Sequence, residues 1–437
     1  MSGKNCFQIL DKIFQAKNPE SIEKIKGYTI KYGNILDENK NIIDEVLVSY
    51  FKSPKSYTTE DMCEINTHGG IIILRKILDL CLKNGAQLAE PGEFTKRAFL
   101  NGRIDLLQAE SVIDIIHAKS EREAKNSINQ LEGHLSKKIN SIKQKIMDVM
   151  VNVEVAIDYP EYDEGDVTNE ELLNMFEEVQ KELEKLEKSF DSGKIIKEGI
   201  KTAIIGRPNA GKSSLLNAIL KEERAIVTDI EGTTRDTIEE FININGIPLK
   251  LVDTAGIRET ENEVEKIGVI KSKKIACDAD LIIAIFDCSK ELTDEDKEIL
   301  EIIKDKKVII VLNKIDLEAK IDENNKLLKN TSNNIVKISA LNETGIEDIY
   351  NIINEMFNLN EINVDNENII TNLRHKNLIS KAIDNVKKAR NTLESGMPTD
   401  VIAVFIKDIL EALGEITGEE VTENIINEIF ARFCLGK

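Results

Sequence analysis

The stretch Gly206-Arg207-Pro208-Asn209-Ala210-Gly211-Lys212-Ser213-Ser214 constrains this chain more than any other. It fits G-x-x-x-x-G-K-[ST], a turn glycine-rich enough for its backbone N–H groups to converge on one anion. The mainly apolar Lys201-Thr202-Ala203-Ile204-Ile205 precedes it with the length of a buried strand, and Leu215-Leu216-Asn217-Ala218-Ile219-Leu220 follows with helical character. Strand, turn and helix are the context this motif requires, because the helix N-terminus adds partial positive charge at a bound phosphate. In that setting Lys212 reaches the β/γ-phosphates of a nucleotide and the Ser213 hydroxyl takes a Mg²⁺ position.

Later stretches narrow the nucleotide. Leu251-Val252-Asp253-Thr254-Ala255-Gly256 puts an acid at the end of an apolar strand, where it can hold Mg²⁺ through water, and lets the Gly256 backbone approach the γ-phosphate. Asn313-Lys314-Ile315-Asp316 follows the apolar Val308-Ile309-Ile310-Val311-Leu312. A carboxylate such as Asp316 accepts from guanine's N1–H and exocyclic amine, a pair adenine does not offer. Ser339-Ala340-Leu341, after strand-like Ile335-Val336-Lys337-Ile338, brings a backbone N–H toward guanine O6. The order is that of Ras-like GTPases, so a GTP-binding domain is expected.

With 437 residues the chain is long enough for two or three domains, each with its own core. No run of about 18 apolar residues suggests a membrane span, and the N-terminus lacks the apolar segment of a signal peptide. Six cysteines are scattered without metal-ligand spacing, which points to a reducing cytoplasm. Cys81 and Cys277 read as small core residues. The net charge of −20 excludes a large basic grip on nucleic acid, so any RNA contact runs through a more basic partner or a local patch.

In chain order, Tyr28–Gly33 and Glu45–Phe51 read as strands joined near Leu36–Asn39, within an α+β domain over residues 1–101. His68 before two glycines reads as a capping or turn residue rather than a metal ligand, since no second His or Cys stands at ligand spacing. From Asp105 the pattern turns helical, with Leu106, Ala109, Val112, Ile113 and Ile116 on one face. An acidic break near Asp158–Asp166 precedes a capping box of Thr168 with Glu171. The expected architecture is an all-α domain (102–195 and 359–437) split by an inserted α/β Ras-like, P-loop G domain (196–358). Neighbouring termini make such an insertion topologically simple. Asn245-Gly246 marks a hairpin inside the insert.

Many small GTPases place Gln directly after Asp-Thr-Ala-Gly to orient the attacking water; here that position is Ile257. Glu265, in a switch-like stretch, is one substitute, against the reading of an exposed helix acid. Asn209 is another: its amide oxygen suits a monovalent cation in place of an arginine finger. Thr234, in Gly232-Thr233-Thr234-Arg235-Asp236, can close over the γ-phosphate and Mg²⁺. Arg235 and Arg258 are sources of charge or structural ion-pair partners, and both readings stand.

These residues resemble the tRNA modification GTPases of the MnmE (TrmE) family over essentially the whole chain. The phosphate loop and Gly232–Asp236 mark the wider Era-like group. Pro91-Gly92-Glu93-Phe94-Thr95, running on to Asp105-Leu106, and the tail Phe433-Cys434-Leu435-Gly436-Lys437 are more specific. The resemblance implies GTP and Mg²⁺ bound by Asn209, Ala210, Gly211, Lys212, Ser213, Ser214, Thr228, Asp229, Ile230, Thr233, Thr234, Asp253, Thr254, Ala255, Gly256, Asn313, Lys314, Asp316, Ser339 and Ala340, with Ser213 and Thr234 on the metal. It implies K⁺ held by Asn209 with backbone groups at Thr228, Ile230 and Thr233, and Glu265 as the glutamate that orders water. A 5-formyl- or 5,10-methylene-tetrahydrofolate would sit on Glu64, Arg103 and Lys437, with Cys434 as the tail cysteine suspected in the modification chemistry.

The same resemblance implies a homodimer through the N-terminal domain and G domains that meet when K⁺ and GTP bind. A flavoprotein partner, MnmG (GidA), would join it in adding an aminomethyl or carboxymethylaminomethyl group at C5 of a tRNA wobble uridine. Two departures are visible: Arg103 stands where the family often has Lys, and the chain opens at Met1-Ser2-Gly3, so the family's first strand with its folate-contacting Arg is expected to be absent. The rival class is a GTP-dependent ribosome-assembly switch of the Era-like kind, which carries an RNA-binding module not recognisable here.

Overall fold

The computed structural model describes all residues except 19–26, 159–168, 222–224, 227–239, 245, 252–277, 360–367, 435 and 437. The chain divides into two compact units, residues 1–116, 129–176 and 385–437 in the first and 117–128 and 177–384 in the second. Among the described residues no helix is long and apolar enough to cross a membrane.

The first unit opens with helix α1 (Cys6–Ile13) and a four-stranded antiparallel sheet in the order β1 (Phe14–Ala16), β2 (Thr29–Leu36), β3 (Ile42–Phe51), β4 (Met62–Asn66). The two expected strands are β2 and β3. Their connection is fixed by Asp37, whose Oδ1 accepts from the Asn39 and Asn41 N–H groups at 2.9 and 2.7 Å, a local alternative to continuing the ladder. Strand alternation sends Val46, Val48 and Tyr50 inward against α1 and α2 (Ile71–Lys83). Cys81 lies in that core, as expected. The next helices are α3 (Glu93–Leu100), α4 (Leu106–Ile116), α5 (Glu121–Leu131) and α6 (His134–Asp158). Asp105 and Gln108 exchange backbone-to-side-chain bonds of 2.8 and 3.0 Å that start α4.

The all-α part packs α6 against α13 (Thr399–Thr417). Ile139, Ile142, Ile146 and Val149 on one helix and Ile402, Ile406, Ile409 and Leu413 on the other are fully buried, the apolar stripe of an amphipathic pair. Helix α7 (Asn169–Glu198) is divided between the two units after residue 176 and α12 (Leu373–Glu394) after residue 384, and Phe430 of α14 (Glu423–Phe430), with Phe433 just beyond it, packs with Ala98, Leu106 and Ala109. Thr168 and the acidic break through Asp166 fall outside the described residues.

The second unit holds a seven-stranded mixed sheet, order β11-β10-β9-β5-β8-β7-β6. Its strands are β5 (Ile200–Ile205), β6 (Ala225–Ile226), β7 (Glu240–Ile244), β8 (Ile247–Leu251), β9 (Leu281–Asp287), β10 (Val308–Asn313) and β11 (Ile335–Ile338). Helices α8 (Lys212–Lys221), α9 (Asp294–Ile303), α10 (Lys326–Thr331) and α11 (Ile346–Met356) flank it. β9 and β10 are buried at every position, the pattern of parallel strands covered on both faces. β7 and β8 pair antiparallel with Ile244 opposite Ile247, the two-residue hairpin that Asn245-Gly246 predicts. The α+β domain, the helical domain and the inserted α/β sheet thus agree with the fold class expected from the sequence.

Candidate functional site

β5 delivers the glycine-rich turn to the carboxyl edge of the sheet, between its parallel neighbours β8 and β9, and α8 starts from it at Lys212. Ligands of open sheets bind beyond the carboxyl ends of strands where strand order reverses, and this is that place. The turn is pinned carbonyl by carbonyl. Lys212 Nζ donates to the Gly206 and Arg207 oxygens at 2.7 and 2.8 Å. Asn313 Nδ2 donates to the Ala210 oxygen and Lys314 Nζ to the Asn209 oxygen, both at 2.9 Å. Asn209 holds a positive φ of 61° with its side chain exposed. At Gly211, φ is +105° and a Cβ would lie 2.0 Å from Asn313 Nδ2, so the turn and the loop after β10 approach through a missing side chain. Burial pushes the Lys212 ammonium down from its ordinary value, and an anion beside it would offset that desolvation.

β10 ends on Asn313, which pairs with Ile338 of β11 and so brings the loop after β11 alongside. Asn313 Oδ1 accepts from the Ala340 N–H at 3.0 Å, and Ser339 Oγ donates to Asp316 Oδ1 at 2.6 Å. The structure therefore gathers Asn313, Lys314, Asp316, Ser339 and Ala340 beside the glycine-rich turn. Ser213 and Ser214 occupy the exposed first turn of α8.

Two acids that sequence reasoning passed over hold this arrangement. Asp287, closing β9 with its side chain 4% exposed, bonds Lys314 Nζ at 2.7 Å and accepts from Ser289 N and Oγ at 3.0 and 2.6 Å. Burial pushes its carboxyl up, but the bonds from Lys314 and Ser289 outweigh it and hold Asp287 below the ordinary carboxylate value. The signal was available, since an acid ending an all-apolar strand lies at the same sheet edge as Asn313. Asp296 in α9 accepts from Arg207 Nε at 2.7 Å, a long-range partner that no spacing announces. Thr228, Asp229, Ile230, Thr233, Thr234, Arg235, Asp253, Thr254, Ala255, Gly256, Ile257, Arg258, Glu265, Cys277 and Lys437 lie outside the described residues.

The first unit carries the other expected residues. Glu64 stands exposed on β4, opposite Ser49, on the solvent face of the sheet with Ile30, Tyr32, Leu47 and Asn66. Ile30 is 65% and Tyr32 and Leu47 each 48% exposed, an apolar face without a covering layer among the described residues. Arg103 stacks over the Tyr57 ring at 4.4 Å, and Tyr57 OH meets Thr95 Oγ1 at 2.9 Å. The exposed Cys434 lies where its carbonyl accepts from the Gly92 N–H at 3.4 Å. No described contact joins Glu64 to Arg103. A separate cavity of about 250 Å³ is lined by Met1–Cys6, Gly85–Gln87, Glu93 and Arg97 among others. His68 does not cap a helix: its Nδ1 meets Asp44 Oδ1 at 2.9 Å and its N–H donates to Asp44 Oδ2 at 3.0 Å.

A sequence model described as the MnmE helical domain matches residues 106–434, and one described as the GTP-binding protein TrmE N-terminus matches residues 1–103. The chain is 52% identical to the "tRNA modification GTPase MnmE" of Clostridioides difficile (strain 630), covering all of this chain and 95% of that one. It is 50% identical to the protein of the same description from Finegoldia magna, and 48% identical to that from Acetivibrio thermocellus, again over 100% of this chain and 95% of each relative.

Proposed function

The chain belongs to the MnmE family of tRNA modification GTPases, and we propose that it hydrolyses GTP at the pinned turn of β5 to drive modification of a tRNA wobble uridine. The observation that carries this reading is the direct bonding of Asn313 and Lys314 to the carbonyls of Ala210 and Asn209, which makes base recognition and phosphate binding one rigid object. Asp316, oriented by Ser339, accepts the guanine N–H pair. Backbone N–H groups from Asn209 to Ser214 and the Lys212 ammonium take the phosphates at the start of α8. Ser213 would hold Mg²⁺ through its hydroxyl oxygen, with Thr234 and, through water, Asp253 as the other residues assigned to the metal; Asp229 and Thr254–Gly256 are assigned to GTP. Bound Mg²⁺ neutralises charge on the β- and γ-oxygens.

Asn209 fits a monovalent cation by chemistry: it is an exposed residue of the turn whose side chain carries an amide oxygen, and its backbone oxygen is already engaged by Lys314. Backbone groups at Thr228, Ile230 and Thr233 complete the K⁺ set, and Glu265 orders the attacking water. The G domains then act as a pair. GTP turnover in KCl against NaCl at matched ionic strength, over a range of protein concentrations, tests this. K⁺ dependence with specific activity rising with concentration is expected; equal rates in both salts, flat with concentration, would overturn it.

At the N-terminal domain (1–101) we assign a tetrahydrofolate one-carbon donor, 5-formyl or 5,10-methylene, to that domain's Glu64 together with Arg103 and Lys437 from outside it. Glu64 is an exposed carboxylate that can accept from a pteridine N–H pair as Asp316 does from guanine, and Arg103 is pre-oriented on Tyr57. The apolar sheet face around Glu64 supports a homodimer there. The flavoprotein MnmG (GidA) is the partner that brings redox chemistry, and with it 5-carboxymethylaminomethyl- or aminomethyluridine is formed in the cytoplasm, with Cys434 near the donor. Calorimetry with 5-formyltetrahydrofolate should lose its signal in Glu64→Gln with GTP turnover unchanged. Unchanged folate binding would remove Glu64 from the site.

A further inference from the structure

We infer that the ion pair between Arg207 and Asp296 is a positioning device that holds the first half of the phosphate turn when Lys212 is drawn to a phosphate. The inference rests on the nucleotide-binding reading of this turn. Asp296 is an unusually fixed anchor. Its side chain is 4% exposed, and its Oδ2 accepts from Thr293 N and Oγ1 at 2.9 and 3.0 Å as part of the capping box of α9. That leaves Oδ1 aimed at Arg207 Nε, 2.7 Å away. A charge-assisted bond to a buried, pre-oriented carboxylate is among the stronger polar contacts a loop can make.

The turn is held from two sides. Its second half, Asn209 and Ala210, is tied to Lys314 and Asn313. Its first half, Gly206 and Arg207, is tied through its carbonyls to Lys212. A phosphate that takes the Lys212 ammonium competes for its three N–H donors and weakens those two bonds. What still holds Arg207 undiminished is its own side chain on Asp296, together with the 3.3 Å bond its carbonyl accepts from the Ala210 N–H within the turn. The ion pair therefore matters more in the nucleotide-bound state than in the free one and adds to affinity by linkage. A guanidinium so engaged is also not free to neutralise a transferring phosphoryl group, so Arg207 is a positioning residue and not an arginine finger.

The test is nucleotide affinity of the full-length chain, read by titration with fluorescent GDP and a non-hydrolysable GTP analogue, with melting temperature measured alongside. Arg207→Met and Asp296→Asn are each expected to raise Kd for both nucleotides about tenfold. The double variant should be no worse than either single one. Arg207→Lys, which keeps charge but not the planar Nε–H, should recover part of the loss. KM for GTP should rise with kcat at saturation nearly unchanged. Thr293→Ala, which removes one of the two bonds on Asp296 Oδ2 but leaves the ion pair, should raise Kd by less than either ion-pair variant. Unchanged Kd in Arg207→Met with a lowered melting temperature, or additive losses in the double variant, would overturn the positioning role. Failure of the unmodified chain to bind either nucleotide would instead overturn the nucleotide reading itself.

Discussion

At Gly211 a single methyl group would occupy space that Asn313 Nδ2 already fills, 2.0 Å from the ideal Cβ position, on a backbone of φ +105°. Gly211→Ala must therefore displace Asn313 from the Ala210 carbonyl and strain the turn together. The expected loss of GDP affinity is about a hundredfold, roughly 3 kcal/mol, by the same fluorescence titration; a loss under tenfold would show that the two loops move independently. Asp287 gives a pH-dependent counterpart. Its folded carboxyl titrates below the ordinary value of about 3.9, so its contribution is present above that value and disappears as pH falls through the folded pKa. Asp287→Asn should cost about 1–3 kcal/mol at neutral pH and flatten the stability–pH curve below about pH 4, measured by urea unfolding. An unchanged acid limb would assign the acid sensitivity to other carboxylates.

Helix α7 and the turn into α2 show how an element's neighbours reverse what its own chemistry favours. Gly193 lies inside α7, where Gly→Ala ordinarily stabilises by up to about 1 kcal/mol. Here the added Cβ would meet the Ile370 carbonyl oxygen at 2.0 Å, so Gly193→Ala should destabilise by about 2 kcal/mol; a stabilised variant in urea would mean that the segment at Ile370 yields freely. At the end of β4 the hydrogen bond and charge of Asp44 hold the His68 imidazolium above its ordinary value. The tie between β3 and the Gly69-Gly70 turn is therefore complete below about pH 6.5 and weakens as pH rises through the raised pKa. The His68 ring resonances should titrate above 6.5 and return to the ordinary range in Asp44→Asn. No difference between the two proteins would sever the link.

On the scale of the whole chain, the unit that contains the seven-stranded sheet also takes in residues 117–128 and the helical flanks from 177 and up to 384. Leu359 is fully buried in the core that β5, β8, β9 and α11 share, with Ile195 packed against it, and its carbonyl accepts from Arg122 Nη1 at 2.9 Å. A fragment of residues 196–358 omits these groups. Losing one fully buried Leu costs roughly 2 kcal/mol, so that fragment should melt several degrees below one spanning 177–384. Equal melting temperatures would show that the flanks add nothing to this core.

Short-range chemistry was readable without coordinates. The turn from Gly206 to Ser214, the apolar strands before it and before Asn313, the β2–β3 pair and helix α4 announce themselves through local spacing, because phosphate cradles, parallel strands and amphipathic helices each impose a period on neighbouring residues; the buried face of α4 was read less well, since Ile116 is 41% exposed and Leu107 is buried. Pro91–Thr95 and the tail were legible only through their resemblance to a known family. What only the tertiary structure decided are the pairings between residues distant in the chain: Asp287 with Lys314, Asp296 with Arg207, Asp44 with His68 and Arg103 with Tyr57. An acid and a base separated by 24 or 89 positions leave no periodic trace. Asp287 and Lys314 meet because parallel strands bring their carboxyl ends to one edge, and Asp44 and His68 because β3 pairs antiparallel with β4; both pairings follow from how the apolar faces pack.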